Sequence, residues 1–171
     1  MRFARVLPMS TSSDLQPSIE RMRQNLAEAQ ATLHSRCVAC GRKNTNGLKL
    51  RFEVNALGQV EATFACPGCF EGFPHALHGG FTAVLLDSAM TNCMFAHGLV
   101  CMTGDLQVRF RHVVQIDKPA RIRAWLERSS HRLHVLRSCL EQDGEIRATA
   151  SARFMEVPAE GQENGEEGCR G

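Results

Sequence analysis

In the run HALHGGFTAVLLDSAM, His75 to Met90, one carboxylate, Asp87, sits inside an apolar stretch. An ionised carboxylate is costly away from water, so an acid there is either paired or employed. On a helical wheel its neighbours are Ala83, Met90, Thr91 and Met94, of which only Thr91 is polar. Desolvation of that kind raises a carboxyl pKa and makes the anion a better base. Gly79 and Gly80 stand where the helix starts, and backbone N–H groups at a helix N-terminus favour negative charge. Glycine also lets a carbonyl approach that backbone closely. At about 1.5 Å per residue, Gly80 and Asp87 are separated by roughly 10 Å along the axis. A base and an oxyanion site on one helix, beside an apolar slot, suit attack on a thioester carbonyl. The competing reading is a structural acid that is merely hydrogen bonded.

Four cysteines raise a second chemistry. Cys37 and Cys40 form one C-x-x-C pair, and Cys66 and Cys69 form another. The first pair precedes a strand, the second follows its hairpin partner, and an antiparallel hairpin brings those ends together. Four thiols at one point form a tetrahedral zinc site, which is expected to be structural because every position is filled. Free structural thiols and a redox pair are the alternatives. Cys93, Cys101 and Cys139 read as small core residues, and Cys169 falls on the C-terminal tail. The opening MRFARVLPMSTSS lacks the apolar segment of a secretory signal, so reduced thiols and a cytoplasmic location are expected.

The chain of 171 residues is 43% hydrophobic and 22% charged, the composition of one globular domain. A net charge of +2 gives no basic face for nucleic acid. No apolar run is long enough to span a membrane.

These residues need elements to hold them. After a disordered segment 1–12, a helix is expected over 13–34. Leu15, Ile19, Met22, Leu26, Ala29 and Leu33 form its stripe. Ser13 or Asp14 would cap it, with Pro17 in the first turn. Leu48, Leu50, Phe52 and Val54 alternate with charged residues, as Val60, Ala62 and Phe64 do with polar ones. The intervening NALG makes the pair a hairpin. Phe81 to Ala96 is apolar on nearly every side, the pattern of a buried helix, and Gly98 follows its end. Four more strands follow, the clearest being EIRATASARFME. After Pro158 the segment 159–171 is an acidic, glycine-rich tail expected to be disordered.

Helix, two strands, buried helix and four strands describe an α+β hotdog fold. About six mostly antiparallel strands curl round one central helix over residues 35–158, with the N-terminal amphipathic helix outside.

The sequence also resembles a family. HGG with an Asp nine residues after the His, inside LLDSAM, resembles the signature of PaaI-like hotdog acyl-CoA thioesterases. CVACGRKNTNGLKLRF is similar to the opening of one branch of that family, and TGDLQVRFRHVV to the strand after the helix. The resemblance runs from about Cys37 to Val157. It implies Asp87 as base or nucleophile, a Gly79 or Gly80 N–H polarising the carbonyl, and His78 shaping the turn. Met90 and Met94 are candidates for the acyl pocket, although such residues are more often plain core; in this fold the two can be the same surface. It further implies an acyl-CoA substrate, no cofactor needed for catalysis, and a homodimer or dimer of dimers. A polar residue after the helix, from the facing subunit, would hold water, and Thr103 and Asp105 fall there. Many members carry Asn or Gln just before the His, where this chain has EGFPHAL with Glu71 and His75. The alternatives are a hotdog hydratase or dehydratase using His75 or His78, and a non-catalytic acyl-CoA sensor.

Overall fold

The computed structural model describes residues 17–157. The segment 1–12, the proposed caps Ser13 and Asp14, and the tail 159–171 lie outside them. The first helix, α1 (Ile19–Thr32), begins later than expected. Ser18 is its cap, its Oγ accepting the Arg21 N–H at 3.3 Å. Pro17 therefore stands before the cap instead of inside the first turn, and proline disfavours helical geometry in the residue preceding it. Met22 and Leu26 are buried as the stripe predicts, whereas Leu33, at the C-cap, is 56% exposed.

The strands are β1 (Glu53–Val54), β2 (Val60–Phe64), β3 (Glu71–Phe73), β4 (Ala76–Leu77), β5 (Cys101–Phe110), β6 (Ala120–Ser130), β7 (Leu133–Gln142) and β8 (Glu145–Glu156). Six of them form one antiparallel sheet in the order β1-β2-β6-β7-β8-β5, and β3 and β4 pair separately. The expected first hairpin is shorter than its alternation suggests. Leu50, Phe52 and Val54 are buried and Lys49, Arg51 and Glu53 exposed, yet only Glu53 and Val54 join the ladder. Lys49 has φ +57°, which takes the chain out of strand geometry before that point.

The second helix, α2 (Gly79–Ala96), lies on the concave face against β2, β5, β6, β7 and β8. Leu85, Leu86, Ala89, Met90, Cys93 and Met94 are fully buried, as are Ile122, Leu136, Leu140 and Phe154 opposite. Each large side chain so buried contributes about 1.5–3 kcal/mol. Ala120, Ala124, Ala148, Ala150 and Ala152 are also buried on the strands, and their small side chains let the helix approach the sheet. Gly98, at φ +78°, ends the segment in the left-handed region that glycine adopts freely. The helix is not wholly enclosed: Ala83, Val84, Asp87, Ser88 and Thr91 form a half-exposed stripe. Outside that stripe, α1 packs against α2 and β1. No described helix is long and apolar enough to cross a membrane.

Candidate active site

Asp87 belongs to the half-exposed stripe of α2, on the same side as Gly80. The Thr103 hydroxyl, on β5, donates to Asp87 Oδ1 at 2.8 Å. Burial pushes the Asp87 carboxyl above its usual range, the Thr103 hydrogen bond pulls it down, and the nearby Cys37 charge pushes it up. The net direction is upward, which favours a base.

A bulge in β5 separates the two polar residues expected near the site. Thr103 pairs with Phe154 and Asp105 with Arg153, so Gly104 is the extra residue. Thr103 thereby faces the helix, while Asp105 turns to the other face and binds Arg153 at 2.7 Å. The resemblance assigns this region's polar residue to a facing subunit; here Thr103 reaches Asp87 within one chain. Leu106 and Val108 continue along the helix side half-buried, and Phe110 is 57% exposed.

His78 is the N-cap of α2, and its Nδ1 accepts the Gly80 N–H at 3.0 Å. The Phe81 and Thr82 N–H groups go to the His78 carbonyl. Of the two glycine amides, Gly79 N–H is the one without a hydrogen-bond partner among the described residues. The β3–β4 hairpin, not anticipated from the sequence, supports this cap. A Cβ on Gly72 would lie 3.0 Å from His78 Cα, so the hairpin packs directly on the cap. His75 sits in the hairpin turn at φ +64°, its N–H donating to Glu71 Oε1. Both residues serve the turn, and their side chains are exposed.

Met90 and Met94, expected in the acyl pocket, are fully buried core residues with no surface beside Asp87 in this chain. The side chains flanking the carboxylate are Ala83, Val84, Ser88 and Thr91 instead.

The cysteine pairs do not converge as expected. Cys66 is buried with its Sγ on the Phe64 carbonyl, burial pushing its thiol up to about 11, and Cys69 is exposed. Among the described residues, the group with ligand atoms within 4.8 Å of one another is His34, Cys37 and Cys40. The hairpin fails to join the pairs because β1 is only two residues long, and the chain from Cys37 to Phe52 turns back on itself. Leu48 N–H bonds the Val38 carbonyl and Leu50 N–H the Ala39 carbonyl. Hydrogen bonding from Cys40, then from His34, holds the Cys37 thiol well below its usual range. The same hydrogen bond with Cys37, then burial, raises Cys40.

Residues 75–148 match the family model described as the thioesterase superfamily. The chain has the hotdog fold, and this stretch of it is similar to the thioesterase superfamily. A putative thioesterase from Ralstonia eutropha JMP134, a phenylacetic acid degradation-related protein, is 25% identical with a TM-score of 0.61, over 74% of this chain and 98% of its own. A thioesterase superfamily protein is 22% identical with a TM-score of 0.64, over 67% of this chain; the chain spans 60% of that relative's length. A hypothetical thioesterase from Streptococcus pneumoniae TIGR4, solved with coenzyme A, is 14% identical with a TM-score of 0.59, over 63% and 88% of the two chains. No curated protein matches the chain.

Within the hotdog domain and the helix docked on it, two residues escaped the sequence reading. His34 follows α1 and completes H-x-x-C-x-x-C, a spacing visible in the sequence once the helix is ended before it. Asn92 is fully buried on α2 and donates to Cys40 Sγ at 3.8 Å and to the Ser88 carbonyl at 2.8 Å. Only its position in an apolar helix marked it.

Proposed function

We propose that the protein hydrolyses an acyl-CoA thioester to the carboxylic acid and CoA. The observation that carries this reading is the Asp87 carboxylate, half-buried, held by Thr103 at 2.8 Å, and on one helix with the unpartnered Gly79 amide. Water, or Asp87 itself, adds to the carbonyl carbon. The carbonyl oxygen takes the negative charge and meets the Gly79 N–H and the positive end of α2. The carbon–sulfur bond then breaks. Where water attacks, the CoA thiolate leaves with the proton that Asp87 takes from it; where Asp87 attacks, water hydrolyses the resulting mixed anhydride, restoring the carboxylate and supplying the thiolate's proton. His78 holds the first turn in place through Gly80, and no cofactor is required. Coenzyme A in the S. pneumoniae relative supports the choice of thioester.

The acyl chain lies along Val84, Leu106 and Val108, and a second copy of the chain closes the open side. A hydratase needs an imidazole beside the acid. The His78 Nδ1 is engaged by the Gly80 N–H, which disfavours that alternative.

The test is free-thiol release from short, medium, long and aryl acyl-CoA esters. Wild type turns over at least one ester, and Asp87→Asn loses about 10²-fold or more. Esters that bind without thiol release would instead make the protein an acyl-CoA sensor.

A further inference from the structure

We propose that His34, Cys37 and Cys40 form a site for a zinc-class divalent cation, with a fourth position left for an exogenous ligand. The donor set is two thiolates and one imidazole, the softness that selects zinc over magnesium or calcium. Its dimensions fit. Tetrahedral zinc, with Zn–S about 2.3 Å and Zn–N about 2.0 Å, separates sulfur from nitrogen by roughly 3.5 Å. His34 Nδ1 lies 3.8 Å from Cys40 Sγ, and all three ligand atoms fall within 4.8 Å of one another.

The surroundings are built for bound thiolates. The Ala39 N–H points at Cys37 Sγ, 3.4 Å away. The fully buried Asn92 amide points at Cys40 Sγ, 3.8 Å away. Asn92 is itself fixed, since its Oδ1 accepts from Gln30 Nε2 at 3.0 Å and its amide also reaches the Ser88 carbonyl. Hydrogen-bonded outer partners of this kind orient ligands and tune a metal site. The turn is equally constrained: Gly41 N–H bonds the Cys37 carbonyl at 2.9 Å, and any Cβ at Gly41 would lie 2.4 Å from the Cys37 nitrogen. The His34 ring is seated edge-on against Phe95, with centroids 4.6 Å apart. A cleft of about 740 Å³ reaches Cys40 past Gln30, Ala31 and Ser35, an entry path for the ion. Two thiolates neutralise a divalent cation, so basic Arg42 and Lys43 nearby do not oppose it. The site ties α1, the cysteine turn and α2 together, and Cys66 and Cys69 have no part in it.

The test is a Co²⁺ titration of the full chain, stripped of metal and kept reduced, read by absorption and independent of thioester turnover. About one Co²⁺ per chain is expected, with visible bands of a tetrahedral centre and a thiolate-to-cobalt band that zinc abolishes. Cys40→Ser and His34→Ala bind roughly 10²-fold more weakly, and exposed Cys69→Ser binds as wild type does. Circular dichroism confirms that each variant is folded; His34, half-exposed beyond α1, serves where Cys40→Ser does not fold. Absence of the charge-transfer band in wild type overturns the proposal. So does retained affinity in folded His34→Ala, and so does weakened binding in Cys69→Ser, which would restore the four-cysteine set.

Discussion

At the scale of single residues, Asp87 is governed by opposed influences. Burial and the Cys37 charge raise its pKa, and the Thr103 hydroxyl lowers it. If Asp87 acts as the anion, activity falls as pH drops through its pKa. Thr103→Val removes the donor that favours the charged form, so the carboxyl rises further. The acid limb of kcat/KM should therefore move to higher pH in Thr103→Val, with turnover at high pH reduced less than at neutral pH. A pH–rate profile of the two proteins decides this, and an unmoved limb would mean that the hydroxyl only packs. Asp87 itself was legible in the sequence, because a lone acid in an apolar run needs an explanation. Thr103 was legible only as a region. Which of Thr103 and Asp105 turns toward the helix depends on one extra residue at Gly104, and alternation cannot reveal a bulge.

At the scale of elements, the cysteine turn leaves no room for a side chain at Gly41. A methyl group on Gly41 would lie 2.4 Å from the nitrogen and 2.6 Å from the oxygen of Cys37, both main-chain atoms that cannot rotate away. Gly41→Ala should cost about 1–3 kcal/mol, the usual range for overpacking. The midpoint of urea unfolding would fall with an unchanged slope, and an unchanged midpoint would show that the turn is free to relax. Elements with strong periodicity were legible: the buried α2, the stripe of Met22 and Leu26, and strands β5, β6 and β8. Their ends were less so. The cap moved to Ser18 because a second competent side chain lay just after Pro17. The first hairpin was read as long, because burial alternates from Leu50 to Val54 even though Lys49 breaks the backbone. The β3–β4 pair was missed because five residues of ladder carry no period. Yet that pair is what packs on His78. The convergence of cysteines failed for the same reason, since it relied on a ladder that stops at Glu53.

At the scale of the whole molecule, the hotdog architecture followed from one all-round apolar helix that needed a sheet to wrap it. What one chain leaves unfinished is the side of that helix bearing Asp87. The ten-residue β5 pairs with β8 on one edge and with no described strand on the other. An open edge of that length is a template for pairing. Large apolar side chains gather beside it: Met102 at 69% exposure, Phe110 at 57% and Val113 at 60%. Met102 lies in register with Met155, and Met155 with Leu133, so the outer face carries a contiguous apolar row. Pairing β5 with its own copy would cover the edge and give the stripe of Ala83, Val84, Asp87 and Thr91 a facing wall. Light scattering should then give a mass of about twice 18.9 kDa, or a multiple of that dimer. Activity per chain should fall on dilution below the dissociation constant, because each site in such a dimer would borrow a wall from its neighbour. A particle of 18.9 kDa that keeps full activity on dilution would mean that one chain completes its own slot. The exposed row around Met102 would then have to be accounted for by a different partner.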